Sequence, residues 1–284
     1  MTRLHVVHST DYRYGAPVSV SYNEARVTPQ TDAAQVVLET DLRIAPYASA
    51  LSHYRDYWGA KVYTFDLHTR HEALSVTSEA LVEVHRAEKQ HAPEDLLDWE
   101  ALTSDSNVEE FSDFLPQSRL SEPGEALSGA AHGIAAGKTP HETARAIIAW
   151  LREEMGYQPG TTAVHYNAET SFSERRGVCQ DLSHVVIGAL RAVGIPARYV
   201  SGYVHPNPEA EIGETVAGQS HAWLEWWDGR WHTWDPTNHT PAGDHHILVA
   251  RGRDYADVTP FKGILSGGGP DTTLGVEVSI TRQA

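Results

Sequence analysis

Residues 176–204, RGVCQDLSHVVIGALRAVGIPARYVSGYV, constrain the fold more than any other part of the chain. Leu182, Val185, Val186, Ala189, Leu190 and Val193 recur at helical spacing, so their side chains line one apolar face. Gly194 tolerates the left-handed conformation in which helices end, and Pro196, lacking an N–H, cannot continue one. A buried helix is therefore expected from near Cys179 to Val193, followed by a strand over residues 197–204. Cys179 falls in the first turn of that helix, just after Gly177.

Cys179 is the only cysteine among 284 residues. It can build neither an internal disulfide, which fits a reducing compartment, nor a cysteine-rich zinc or iron–sulfur site. A lone intracellular cysteine is usually a small buried hydrophobe, and such a residue more often sits mid-helix on the apolar stripe. At a helix N-terminus the unpaired backbone N–H groups and the helix dipole favour a thiolate instead. The same N–H groups can donate to a developing oxyanion.

A thiol nucleophile needs a base and a group that orients it. Residues 220–235, SHAWLEWWDGRWHTWD, alternate around Asp228-Gly229 and read as a β-hairpin. A two-residue loop would pair Trp227 with Arg230 and set His221 opposite Pro236. A three-residue loop, Trp227-Asp228-Gly229, pairs Trp226 with Arg230 and sets His221 directly opposite Asp235. In that preferred register His221, Trp223 and Glu225 share a face with Trp231, Thr233 and Asp235, within imidazole–carboxylate reach.

The segments GVCQD, RAVGIPARYVSGYV, SHAWLEWW and WHTWDPTN together resemble the transglutaminase-like superfamily. More narrowly they resemble its bacterial members that carry a β-rich region ahead of the core, as does the late stretch HHILVARGRDYADVTPFKGILSGGG. The resemblance spans residues 157–269 and is compatible with residues 1–85. It implies a papain-like α+β core, no cofactor, and a triad with Cys179 as nucleophile, His221 as base and Asp235 as orienting acid. It further implies acyl transfer through a thioester, to water in a peptidase or amidase or to an amine in a transglutaminase. Gln180-Asp181 stands where animal transglutaminases carry a tryptophan after the cysteine, which points away from protein crosslinking and calcium regulation. A non-catalytic peptide-binding module is the remaining alternative. The expected partner is a peptide or peptide-like amide.

Four further residues are substrate or oxyanion candidates: Tyr157 and Tyr166 before the nucleophile, Gln180 after it, and Trp223 as a cleft wall. Glu225 is read as a surface or supporting residue. His184 is read as a structural hydrogen-bonding histidine. His239, Asp244, His245 and His246 match no zinc spacing and are read as structural loop residues, so no metal is expected.

Around this core the chain divides into a β-rich module (1–85), a linker with short helices (86–129) and a catalytic core with a C-terminal strand (130–284). Strands are expected over 4–14, 18–28, 34–44, 60–67 and 74–84, with Gly15-Ala16-Pro17, Pro29, Pro46 and Trp58-Gly59 as turns. No chemistry is read in this module. Thr139-Pro140-His141-Glu142 is a capping box that opens a helix to about Glu154, with Ala144, Ile147, Ile148 and Leu151 on its buried face. Residues 157–174 read as a loop. Gly267-Gly268-Gly269 reads as a turn before a last strand over 274–280.

The 38 acidic against 22 basic side chains give a net charge of -16, with no basic stripe. Nucleic acid and anionic membranes are therefore unexpected partners. Residues 1–10 lack the apolar run of a signal peptide and no ~18-residue apolar stretch occurs, so a cytoplasmic location is expected.

Overall fold

The computed structural model describes residues 2–86, 96–159, 166–207 and 209–284, with the backbone alone at Gln219. The chain opens with five strands, β1 (Thr2–Ala25), β2 (Gln35–Ala45), β3 (Ala50–Arg55), β4 (Lys61–Leu67) and β5 (His71–Val84). Helices α1 (Trp99–Leu102), α2 (Asp105–Glu110), α3 (Gly124–Ala135) and α4 (Pro140–Glu154) follow. Then come β6 (Gly156–Tyr157), α5 (Ala168–Glu174), β7 (Arg176–Gly177) and α6 (Cys179–Ala192). The chain closes with β8 (Ala197–Val204), β9 (Thr215–Trp227), β10 (Trp231–Trp234), β11 (His246–Gly252), β12 (Phe261–Gly267) and β13 (Thr273–Arg282). The class is α+β.

Eleven strands form one antiparallel sheet, whose main path runs β11-β8-β9-β13-β1-β4-β3. β13 is the joint. It pairs with β1 from Leu4↔Arg282 to Arg13↔Thr273 and with β9 at Thr215–Gly218, so the last strand serves both the N-terminal module and the core. The buried cluster follows the same continuity, since Leu4, Val6, Val82 and Val84 pack in one cluster with Leu127, Ile147, Leu190 and Ile280.

Several local expectations change. Residues 2–25 form a single strand, and Gly15-Ala16-Pro17 is not a turn: it is an irregularity where the pairing with β5 shifts between Arg13 and Val18. The chain keeps its direction there because Ala16 N–H pairs with the Gly268 carbonyl of the β12–β13 turn, at 2.9 Å. β3, exposed throughout, carries no buried face and so left no alternating apolar signal. α3 is a 12-residue helix across the end of the expected linker, while residues 87–95 lie outside the described residues. Residues 168–174, expected as loop, are helical: the Asn167 side chain accepts the Thr170 N–H, and Ala168, Ser171 and Phe172 are buried. Such a helix is too short and polar to show a period.

Helices α4 and α6 match their sequence signals. Thr139 and Glu142 close the capping box, and Ala144, Ile147, Ile148 and Leu151 are buried. α6 packs against β8 and β9 on one side and against α3, α4 and α5 on the other. Burial of most of its circumference explains why Ser183, His184 and Arg191 are buried along with the apolar stripe. Gly194 has φ +82 and ends the helix, as expected.

Candidate active site

Cys179 is placed by the start of α6. Asp181 accepts the Val178 N–H at 2.8 Å, which caps the helix one residue before the thiol. A Cβ on Gly177 would lie 2.5 Å from the Asp181 Cβ, so only glycine permits this approach. Ser183 donates to the Cys179 carbonyl at 2.8 Å and fixes the same turn. The first helical N–H groups have no intrahelical acceptor and remain available to an anion at Cys179.

His221 arrives on β9. Its Nε2 lies 2.7 Å from Asp235 Oδ2, and the same imidazole shares a hollow with Cys179. The hairpin register that delivers this contact differs from the expected one. Trp227 pairs with Trp231 and Trp226 with His232, so the three-residue loop is Asp228-Gly229-Arg230, with Gly229 at φ 111. His221 is not directly opposite Asp235. The slip of two positions preserves the alternation, however, and both side chains still issue from one face. The ladder ends at Trp234, where the backbone turns through reciprocal Asp235–Thr240 pairing and brings the carboxylate under the imidazole.

Asp235 is fully buried and accepts five hydrogen bonds. Its Oδ1 takes the backbone N–H groups of Thr237 and Asn238 at 2.9 and 3.1 Å. Its Oδ2 takes Asn238 Nδ2 at 2.7 Å and the Nε2 atoms of His221 and His246, the latter at 3.0 Å. Burial disfavours the carboxylate, but these donors outweigh it and hold its pKa well below the usual carboxylate range. Burial likewise disfavours the His221 imidazolium, yet hydrogen bonding and charge from Asp235 and Cys179 raise its pKa to about 9.

His246 is the residue that sequence reasoning missed. It lies on β11 rather than in a loop, and its Nδ1 accepts the Gly243 N–H at 3.1 Å. That acceptor role leaves the proton on Nε2, which therefore donates to Asp235. Burial lowers the His246 pKa, so it acts as a neutral donor. No short motif marks it, because the contact crosses from one strand to another. His239 and His245 make no contact with the triad carboxylate among the hydrogen bonds of the described residues.

The other candidates divide. Trp223 is fully buried and does not wall a cleft; it backs the site, 6.3 Å from the His221 ring and edge-on to His246 at 5.2 Å. It packs with Val200, Ala242 and Leu248 in a small cluster apart from the main core. Gln180 is half-buried and lines the cleft beside Cys179. Tyr157 is half-exposed and feels the Cys179 charge, because β6 pairs with β7 immediately before Cys179. Tyr166 is half-buried just before α5 and lines neither hollow at His221. His184 is structural: its Nε2 accepts the Tyr255 N–H at 3.2 Å and its ring stacks on Tyr199. Glu225, read as a surface or supporting residue, is 2% exposed and holds Arg198 at 2.6 Å and Arg251 at 2.9 Å.

Two hollows meet at His221. One, of about 360 Å³, contains Cys179 and Gln180 and is walled by Tyr12, Phe261, Leu274 and Val276. The other, of about 550 Å³, lies between Tyr157, His205, Asn238 and Pro241. Thus β1, in which the sequence showed no chemistry, supplies part of the cleft. A third hollow of about 600 Å³, between Tyr22, Phe65 and Ile264, lies elsewhere on the sheet and shares no residue with the other two.

Residues 128–236 match the transglutaminase-like superfamily, and residues 4–83 match the bacterial transglutaminase-like N-terminal region. The chain belongs to the transglutaminase-like superfamily. An uncharacterized protein of Mycobacterium leprae is similar over the full length of both chains, at 40% identity across 284 residues. A protein-glutamine gamma-glutamyltransferase of Pseudomonas aeruginosa is 30% identical over 108 residues, which is 34% of this chain and 16% of that one. A solved structure from Cytophaga hutchinsonii, described as a candidate cysteine protease, shares the fold with a TM-score of 0.72 at 20% identity, covering 100% of this chain and 98% of that one. Among the described residues no helix is long and apolar enough to cross a membrane.

Proposed function

We propose that this transglutaminase-like protein is a cysteine-dependent amide-bond hydrolase, a peptidase or amidase. The observation that carries the reading is one contact chain. Cys179 at the head of α6 shares a hollow with an imidazole that a buried carboxylate holds at 2.7 Å. His221 takes the Cys179 proton through Nδ1, and Asp235 stabilises the imidazolium that results. The thiolate attacks an amide carbonyl, and the Cys179 N–H donates to the oxyanion of the tetrahedral intermediate. Gln180 and Tyr157 flank the thiol and are the side chains placed to touch substrate. Proton return from His221 releases the amine and leaves a thioester, which water cleaves.

Transfer of the acyl group to an amine instead of water is a second reading, supported by the partial similarity to the Pseudomonas gamma-glutamyltransferase. The substrate is a peptide or peptide-like amide that enters the hollow beside Cys179, with neither nucleic acid nor membrane as partner. A reducing compartment, the cytoplasm, keeps the lone thiol free.

The test is the pH dependence of Cys179 alkylation by iodoacetamide in the wild type and in His221→Ala. Reaction well below pH 7 in the wild type, lost in the variant, is expected of an assembled pair. One wave near the free-thiol pKa of ~8.5 in both proteins removes the enzyme reading. Incorporation of an added primary amine into product then separates transferase from hydrolase.

A further inference from the structure

A second convergence of histidines on a carboxylate lies at the loop of the β9–β10 hairpin. Asp228, the first loop residue, is 0% exposed. His141, in the first turn of α4, places Nδ1 at 2.8 Å from Asp228 Oδ2. His232, on β10, places Nε2 at 2.6 Å from Asp228 Oδ1. One ligand atom from each of the three residues lies within 4.8 Å of the other two, and the imidazole centroids are 5.0 Å apart. Both histidines are partly exposed, at 23% and 14%, so one side of the group faces solvent.

The charge balance here differs from that at the other buried carboxylates of this region. Glu225 is paired with two arginines, which carry permanent charge. Asp235 faces His221, whose raised pKa keeps it protonated, and takes three further donors from residues 237 and 238. Among the described residues the ion-pair partners of Asp228 are imidazoles alone. A buried carboxylate without a permanent cation is costly, and a bound metal ion removes that cost.

We propose that His141, Asp228 and His232 form a binding site for a divalent first-row cation, with zinc as the ion that suits the ligands best. Two imidazoles and one carboxylate are borderline nitrogen and oxygen donors of the kind zinc takes, and solvent supplies the fourth tetrahedral position. The surroundings hold the ligands in place. The His232 ring lies flat on Trp226, with centroids 4.8 Å apart and planes 13° apart. The Asp228 carbonyl is fixed by the Leu97 N–H at 2.8 Å. Metal binding needs each neutral imidazole to carry its proton on the nitrogen away from the ion, which is a tautomer change with no change in charge. The bound ion clamps the first turn of α4 to the hairpin whose first strand carries His221. It braces the fold rather than taking part in thiol chemistry.

The experiment is a titration of untagged, chelator-treated protein with Co²⁺, read by visible absorption, and with Zn²⁺, read by calorimetry and by the melting temperature. One ion per chain with the intense bands of tetrahedral cobalt is expected, together with a higher melting temperature in Zn²⁺. His141→Ala and Asp228→Asn should each weaken binding at least tenfold and abolish the thermal shift. His221→Ala, which disrupts the separate group at Asp235, should bind as the wild type does. His141→Ala changes a partly exposed residue, and its fold is checked by circular dichroism without metal. Absence of saturable binding below millimolar metal overturns the proposal. So does binding that survives His141→Ala, or that is lost only in His221→Ala.

Discussion

At the scale of single residues, the site depends on Asp235 more than on any pairwise contact, because it holds two imidazoles and an amide on one oxygen. His246 is a positioning residue in this arrangement: it hydrogen-bonds Asp235 and not His221 or Cys179, and its proton location is dictated by Gly243. A hydrogen bond to a charged group contributes about 1.5–3 kcal/mol. His246→Leu, which removes the donor, is therefore expected to lower kcat by roughly 10- to 150-fold, as those energies convert, with KM little changed. Its pH–rate profile should shift to higher pH in the limb set by His221, because a carboxylate with one donor fewer leaves more charge on the oxygen that faces the imidazolium. An unchanged profile with the same loss of rate would assign His246 a packing role only. Cys179→Ala, by contrast, should remove turnover while leaving the melting temperature near that of the wild type, since the thiol makes no core contact that alanine lacks beyond one sulfur atom. Substantial residual turnover in that variant counts against the nucleophile assignment.

Among the secondary-structure elements, the start of α6 and the β8–β9 pair decide the geometry. Gly177→Ala drives a methyl group into Asp181, the residue that caps the helix. The cap is worth about 0.5–2 kcal/mol, so the fold should survive. Displacement of the thiol by a fraction of an ångström should nevertheless cost about 100-fold in activity, which steady-state kinetics beside a melting curve will separate. Glu225 serves the sheet itself, by holding Arg198 of β8 and Arg251 of β11 from its place on β9. Removal of one partner from a buried pair leaves a charge uncompensated, and Glu225→Ala is expected to destabilise by about 3–5 kcal/mol in urea unfolding. A loss below 1 kcal/mol would mean that the two arginines find water or another anion when the glutamate is gone.

For the whole molecule, buried groups with shifted pKa values bound the pH range of greatest stability. Burial opposes the Glu225 carboxylate, but Arg251 and Arg198 lower its pKa from 4.5 to about 2. A depressed carboxylate stabilises the fold above its unfolded pKa, and that contribution fades as pH falls from about 4.5 towards 2. The His221 pKa is raised from 6.5 to about 9, so its contribution is complete below about 6.5 and fades as pH rises through 9. Burial lowers the pKa values of His8 and His184 from 6.5 to about 4 and about 3, so their contribution fades as pH falls below 6.5, and the melting temperature should peak near pH 6.5. In His221→Ala the alkaline decline should become shallower while the acid limb stays the same; an identical alkaline limb would deny the raised pKa. The continuous sheet adds a second expectation at this scale. Ile280, fully buried on the strand shared by β1 and β9, should cost about 2–5 kcal/mol as Ile280→Ala and still give one unfolding transition. Two separated transitions would mean that the N-terminal strands and the core fold independently.

The sequence alone determined the parts of this protein that rest on local chemistry. Residues 139–154 carry a capping box and a helical stripe, and residues 182–196 carry an apolar face with a glycine–proline stop. Their boundaries are legible because propensity, capping and burial all act on the same residues. Cys179 stood out for the same reason, as a thiol placed at a helix start. The hairpin was legible in kind but not in register. Alternation set which side chains share a face, while the loop conformation around Gly229, with its positive φ, chose among pairings that satisfy the same alternation. Contacts between distant segments were decided only by the tertiary structure. His246 reaches Asp235 across two strands, Tyr12 reaches the cleft from the first strand, His141 meets Asp228 from 87 residues away, and β13 joins both halves of the sheet. None of these leaves a short-range pattern, because each depends on how separate elements pack rather than on the spacing of residues within one.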